Sequence, residues 1–317
     1  MSRFGQVLGV ALIAAAIAGS AIAQDYPTRP VTFVTSEAGG SSDTAARLVA
    51  AHLSEMWGQP IVVESVNNNI GGQKVAQSAP DGYTVLFTGS TFWIGQLFRD
   101  LPFNPTEDFT PVTMLSSSPI LVLVQPELPV TSVADLVTLV RSKPGEFNYG
   151  VGSVGSAGFL AAELLKSMAG LDMVRVLYGG ASDSVNALLG GEVQMAFVSS
   201  ASGMQQVSAG TLTGLAVTST EPSETAPGIP TVASSDLPGY EVTSSVGVFV
   251  ADGTPDEIVE KLSHDIAQVV SRADVRTTLI GLGFDPIGST PADFSAKITA
   301  EVARIGKLVE DENLRPE

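Results

Sequence analysis

The feature that most constrains the fold is a strand, a Gly/Ser loop and an Ala-rich helix, which follow one another in this order at two places in the chain. The first unit reads VTFVTSEAGGSSDTAARLVAAHL from Val31, and the second reads FNYGVGSVGSAGFLAAELL from Phe147. Their starts lie about 115 residues apart, a spacing typical of one domain. The repetition predicts two similarly built domains whose loops face each other across a cleft.

Apolar runs of strand length alternate with helix-forming segments, which is typical of α/β layers with parallel strands. Helix starts are predicted at Ser132, Thr254 and Thr290, because an acid follows each hydroxyl residue three positions later. The predicted strands are Val31–Thr35, Ile61–Glu64, Thr84–Thr88, Ile120–Val124, Phe147–Tyr149, Met173–Leu177, Val193–Phe197, Leu215–Thr218 and Val246–Val250.

Two segments have the character of crossings between the domains, Gln125–Pro129 and Gly239–Val246. They predict a first domain made of residues 24–124 plus 246–317 and a second domain of residues 125–245. In this arrangement the C-terminal helices complete the first domain.

The first residues have the pattern of a secretory signal peptide. Arg3 precedes an apolar run from Val7 to Ala18, and small residues end at Ala23. The run is shorter than the roughly 20 apolar residues that span a bilayer, and an uncleaved anchor helix is the alternative. A lipid anchor is excluded because no Cys follows. We therefore predict export, with cleavage after Ala23.

Composition excludes several classes of function. The chain has no Cys, so disulfides and thiolate chemistry are impossible. Its formal net charge of −17 disfavours nucleic acid and anionic membranes as partners. A small anionic ligand remains compatible with this charge, because salt screens bulk charge beyond about 8 Å.

Three Gly/Ser loops follow predicted strands and lead into helices, at Ser36–Asp43, Thr88–Phe92 and Gly150–Ser156. Ligands of open α/β sheets bind at the carboxyl ends of strands, and helix N-termini suit anions. Each loop alone is also compatible with an ordinary tight turn and a capping serine. Three such loops in one chain favour an anion-binding cleft.

No catalytic, metal or cofactor site is predicted. Gly150, Gly152 and Gly155 match a dinucleotide fingerprint, but the strand after them ends without the acid that would hold a ribose. His52 and His264 have no local partner for catalysis. A G-x-S-x-G element is absent, and the acids lack the spacing of a calcium loop.

From Tyr26 to about Val309 the chain resembles the extracytoplasmic binding proteins of tripartite tricarboxylate transporters, the Bug family. The resemblance implies a two-domain periplasmic binding protein of the Venus-flytrap, type II-like kind, with a ligand cleft between the domains and no catalysis. It is carried by YPTRPVTFV, GGSSDTAARLVAAHLSEMWGQPIVVES, APDGYTVLF, LPFNPTEDFTPVTML, ELPVTSVADLVTLVRSKPGEFNYG, ALLGGEVQMAF and GTPDEIVEKL.

The resemblance also implies a small organic acid as ligand, integral-membrane transporter subunits as partners, and a monomer in the periplasm. In the family, loops of both domains hold the ligand. The residues that correspond to them here are Ser36, Glu37, Gly39, Gly40, Ser41, Ser90, Thr91, Phe92, Ser153, Gly155, Ser156, Tyr178, Gly180, Ala181, Val198 and Ser199.

The chain departs from the family pattern within these loops. Glu37 stands where the family is usually proline-rich, and Val66–Ile70, which contains Asn67–Asn69, replaces a Gly-rich, arginine-containing segment. Gly179 replaces a frequent lysine, and Val198 replaces a frequent aspartate. The changes at Gly179 and Val198 lower the charge expected at the far end of the pocket, and Glu37 disfavours a polyanion if its side chain faces the cleft. These departures favour a monocarboxylate or an apolar dicarboxylate over citrate or an amino acid.

Two other functions stay open at the level of sequence. The same fold could dock on a histidine-kinase ectodomain as a sensor, which the sequence does not distinguish from transport. A secreted enzyme on an α/β scaffold is the more remote alternative, because no nucleophile–base pair or metal set is visible.

Overall fold

The computed structural model describes residues 26–36 and 38–315, so the predicted signal peptide lies outside the described residues. The strands are β1 (Val31–Thr35), β2 (Ile61–Ser65), β3 (Thr84–Gly89), β4 (Phe109–Val124), β5 (Asn148–Val151), β6 (Val174–Leu177), β7 (Met195–Ser199), β8 (Thr213–Val217), β9 (Thr243–Ala251) and β10 (Asp285–Pro286). The α-helices are α1 (Ser41–Trp57), α2 (Asn68–Ala76), α3 (Thr91–Ile94), α4 (Val133–Ser142), α5 (Ala157–Ala169), α6 (Ala181–Leu189), α7 (Ser200–Ser208), α8 (Asp256–Ser271), α9 (Ala273–Gly281) and α10 (Pro291–Asp311).

The strands form two sheet regions joined by one long strand. The first region has the order β2-β1-β3-β9-β4, and the second continues from β4 through β7 and β5 to β6. Strand β4 pairs with β9 up to Pro119 and with β7 from Ile120 onward. The predicted α/β fold class is confirmed. The predicted domain boundaries stay a prediction, but the change of partner within β4 marks where one sheet region gives way to the other.

The two repeated units occupy equivalent places in the two regions. Strand β1 lies between β2 and β3, and β5 lies between β6 and β7, with parallel pairing in all four cases. Each central strand leads through its Gly/Ser loop into a helix. The loops therefore leave the carboxyl ends of centrally placed strands, where open α/β sheets bind ligands.

Helix starts follow the capping chemistry of the sequence at two of three predicted places. The hydroxyl groups of Ser132 and Thr290 accept hydrogen bonds from the backbone N–H groups three residues later, both at 3.1 Å. The prediction for Thr254 is wrong. Its hydroxyl donates instead to the Ala251 carbonyl at 2.8 Å, and α8 begins one residue after Pro255.

The C-terminal helices return to the first sheet region. Helices α8 and α10 both pack on β4, and Phe294 of α10 is fully buried against Trp93 and Phe249. None of the helices between residues 26 and 315 combines the length and apolar character that crossing a bilayer requires.

Candidate functional site

Three neighbouring cavities lie at the ends of the parallel strands, and together we call them the cleft. The polar chamber, of about 350 Å³, is lined by Ser36, Gly40, Asn67, Asn68, Asn69 and Arg99. The apolar chamber, of about 410 Å³, lies between Thr91, Ile94, Phe98 and Arg99 on one side and residues 153–156 on the other. The serine chamber, of about 300 Å³, is lined by residues that include Gly39, Ser41, Ser118, Ser199, Ser244 and Phe284.

The loop between β1 and α1 is held in place by a carboxylate in the first turn of α1. Gly39 has φ of +80°, a left-handed conformation that favours glycine. Asp43 accepts hydrogen bonds from the Gly39 N–H at 2.9 Å, the Arg47 guanidinium at 2.9 Å and the Ser65 hydroxyl at 2.6 Å. Chiefly through the Arg47 bond, these contacts lower the pKa of Asp43 to about 2. The loop therefore has a fixed shape, and its one described acid is already paired.

The loop after β3 is held by hydrogen bonds on its side away from the cleft. The Ser90 N–H donates to the Ser245 carbonyl at 2.9 Å, and the Trp93 indole N–H donates to the buried Glu301 carboxylate at 3.0 Å. The Phe92 ring lies in the core, 5.1 Å from the Phe103 ring centroid. Thr91 is the exposed side chain of this short turn, and it lines the apolar chamber.

The Gly/Ser loop after β5 faces α3 and the turn that follows it. The Ser156 hydroxyl accepts a hydrogen bond from the Phe159 N–H at 3.3 Å and so caps α5. Gly155 has φ of +79°, and a Cβ atom there would lie 3.7 Å from the Phe98 ring. The loop therefore approaches Phe98 from the opposite side of the apolar chamber.

The loops after β6 and β7 contribute less to the cleft. Tyr178 packs over Gly150, and its hydroxyl donates to Glu192 at 3.4 Å. Val198 is buried in an apolar cluster. Ser199 lines the serine chamber, and its hydroxyl lies 2.9 Å from that of Ser202.

The structure therefore brings most of the sequence-predicted residues to one place. Glu37 lies outside the described residues. Ser90, Phe92, Tyr178, Gly180, Ala181 and Val198 line none of the three chambers. Those that line a chamber are Ser36, Gly39, Gly40, Ser41, Thr91, Ser153, Gly155, Ser156 and Ser199.

Sequence reasoning missed Arg99, and it noted Asn67–Asn69 as a departure from the family pattern without placing these residues among the ligand contacts. The three asparagines begin α2 directly after β2, so the rule that loops follow strand ends could have found them. Arg99 is the only Lys or Arg between Lys74 and Arg141, which is a visible signal next to a Gly/Ser loop. It lines both the polar and the apolar chamber, and it is the only charged residue among the described lining residues of the cleft.

Comparisons with known proteins point to one family. The pattern of the family described as "Tripartite tricarboxylate transporter family receptor" matches residues 45–314. A curated relative, the "UPF0065 protein in tcbD-tcbE intergenic region" of Pseudomonas sp. (strain P51), is 31% identical over 290 residues, which cover 90% of this chain and 86% of the relative.

Two solved structures extend the likeness to the whole fold. Rpa4515 of R. palustris with adipate is 35% identical with a TM-score of 0.71, and the match covers 90% of this chain and 97% of that one. A TctC solute-binding protein from Polaromonas without ligand is 25% identical with a TM-score of 0.82, and the match covers 90% and 99%.

Proposed function

Because the chain belongs to the tripartite tricarboxylate transporter receptor family, whose members are periplasmic solute-binding proteins, we propose that it captures one small carboxylic acid in the cleft and delivers it to the membrane subunits of such a transporter. The observation that carries this proposal is the lining of the cleft. It combines hydroxyl and amide side chains with one cation, Arg99, and no acid among the described residues.

The local chemistry of the cleft can overcome the acidity of the chain. The formal net charge is −17, and most of the described acidic residues are exposed or half-buried, where salt screens their charge. The first turn of α1 supplies backbone N–H groups at the positive end of a helix dipole. Micromolar affinity needs about −8 kcal/mol, and hydrogen bonds to a charged group contribute about 1.5–3 kcal/mol each. A few such bonds, together with burial of apolar ligand surface, suffice.

The proposed contacts are those predicted residues that line a chamber, together with Asn67–Asn69 and Arg99. The loop of Ser36–Ser41 and the asparagines approach the ligand from the first sheet region. Residues 153–156 and Ser199 approach it from the second. Under this proposal Phe92 and Val198 act through the packing behind the cleft, because both side chains are buried.

The relative positions of the two sheet regions support an open cleft. The chain superposes better on the ligand-free Polaromonas protein than on Rpa4515 with adipate, although its identity with Rpa4515 is higher. Rotation of two halves about a hinge lowers a TM-score without changing either half. We therefore propose that the cleft receives its ligand in this arrangement and closes by rotation about β4 and β9.

Capture without turnover also belongs to the proposal. Hydrolysis of a bound acid derivative would need a general base beside a nucleophile. The described lining residues offer serine and threonine hydroxyls but no His, Cys, Asp or Glu beside them. We further propose that the protein acts as a monomer after cleavage at Ala23.

A thermal-shift and calorimetric screen of the refolded, ligand-free mature chain tests the function. A carboxylic acid at about 100 times its Kd should add about 2.7 kcal/mol of stability. The primary amide of the same acid serves as the matched neutral control. Binding of sugars or amines with no binding of any acid would refute the proposal, and recovery of a chemically altered acid would refute capture without turnover.

A further inference from the structure

Arg99 differs from most of the other described cations because its side chain has no hydrogen-bond or ion-pair partner among the described residues. Most of the described Lys and Arg side chains bond an acid, and Arg141 and Arg315 donate to backbone carbonyl oxygens. Within the described residues, Arg99 and Lys143 do neither, and of these two only Arg99 lines one of the cavities. Its guanidinium carries five N–H donors in a planar fork that matches a carboxylate.

Arg99 lies between a polar and an apolar part of the cleft. On one side, the polar chamber offers the asparagines, Ser36 and Gly40, all of which hydrogen-bond. On the other side, the apolar chamber offers Ile94, Phe98 and Val154 as hydrocarbon surface. Val154 is 41% exposed, and Phe98 approaches Gly155 from across the chamber. A ligand that spans both chambers therefore needs one charged end and one apolar body.

A polyanion fits this division poorly. Its first carboxylate would meet Arg99, but its other carboxylates would lie against hydrocarbon with no second cation among the described lining residues. Burying an unpaired carboxylate is costly, whereas burying a methylene group is favourable.

We propose that Arg99 is the specificity-determining residue of the cleft, and that it selects acids in which a carboxylate is followed by an unsubstituted aliphatic or aromatic body. The carboxylate lies in the polar chamber against Arg99, and the body fills the apolar chamber. This inference rests on the proposed function and names its substrate class.

Isothermal titration of the mature full-length chain with five probes tests it: hexanoate, benzoate, adipate, malate and citrate. We expect the tighter-binding of hexanoate and benzoate to bind at least 10-fold more tightly than malate or citrate, and more tightly than adipate, whose second carboxylate would lie against hydrocarbon. Arg99→Gln should weaken binding of the tightest acid about 10- to 100-fold, the loss expected for one charge-assisted contact. Arg99→Lys, which keeps the charge but not the fork, should fall between the two.

Arg272→Gln is the matched control, because it removes the same charge from an exposed side chain paired with Asp274 outside the cleft. It should bind within 2-fold of the parent. Thermal melting of all four proteins shows whether each variant is folded, and Arg99→Lys carries the test if Arg99→Gln does not fold.

The possible results distinguish the proposed role of Arg99 from the proposed function. If the parent binds none of the five acids, this inference fails, and the broader acid screen decides whether the proposed function stands. If the parent binds an acid and Arg99→Gln binds it within 2-fold, the role of Arg99 is refuted while the function stands. If adipate, malate or citrate binds most tightly, the proposed pairing of one carboxylate with an apolar body is refuted.

Discussion

Replacement of Gly158 by alanine tests whether close backbone packing positions the loop after β5. Gly158 lies in the first turn of α5, and a Cβ atom on it would lie 2.2 Å from the Phe197 carbonyl oxygen of β7. Real Cβ atoms essentially never approach closer than 3.0 Å. Helix α5 must therefore move away from β7 by about 0.8 Å, and the obstacle is backbone rather than a flexible side chain.

The expected magnitude follows from two opposing effects. Alanine is favoured over glycine inside a helix by about 1 kcal/mol, whereas overpacking a close-packed interior costs about 1–3 kcal/mol or more. Because backbone atoms clash here, we expect the overpacking cost to exceed the gain in helix propensity. Gly158→Ala should therefore lose about 2 kcal/mol of unfolding free energy. That loss corresponds to a fall in Tm of about 3 °C for a chain of this size, at an unfolding entropy of about 2.1 cal/mol/K per residue.

Gly306→Ala is the matched control. Gly306 lies inside α10, and its Cβ atom would meet the Leu97 side chain at 3.6 Å, an ordinary contact. The same substitution should therefore stabilise the protein by about 0.5–1 kcal/mol. Urea and thermal unfolding at pH 7, followed by far-UV circular dichroism, measure both variants. If Gly158→Ala is as stable as the parent or as Gly306→Ala, the close approach of α5 to β7 is wrong.

Two further predictions concern buried or paired carboxyl groups. The lowered pKa of Asp43 stabilises the fold above about pH 4, and this contribution is lost as pH falls to about 2. Asp43→Asn should flatten the urea-unfolding free energy across that range, and an unchanged pH dependence would contradict the prediction. Burial raises the pKa of Glu301, so charging it costs stability as pH rises through that pKa. The unfolding free energy of Glu301→Gln relative to that of the parent should therefore rise between pH 4 and pH 8. A difference between the two proteins that is the same at both pH values would refute this reasoning.

Most strands could be predicted because apolar runs of strand length are a local signal. The exceptions are strand segments whose local sequence does not have an uninterrupted apolar pattern. Strand β4 begins at Phe109 rather than at Ile120, because Pro111 and the serines before Pro119 interrupt its apolar pattern. Those serines are tolerated because long-range pairing with β9, including two register shifts, extends the strand through them.

The cleft was partly predictable for a similar reason. Strand-end loops with glycine and serine can be recognised one at a time, and the structure places many of them around the chambers. Side-chain direction is different, because it depends on what packs behind each loop. Phe92 and Val198 point into cores that form from distant segments. Arg99 reaches the cleft only through the position of the turn after α3.

The place of β9 in the first sheet region has a consequence for how the chain folds during synthesis. Strands β3 and β4 follow each other in sequence, yet β9 separates them in space and pairs with both. During synthesis, both edges stay unsatisfied until residue 251 has emerged, more than 120 residues after the end of β4. Long-range pairing of this kind delays folding. Late closure of the first sheet is therefore compatible with the export that we propose, because a chain must be unfolded to thread through a translocation pore.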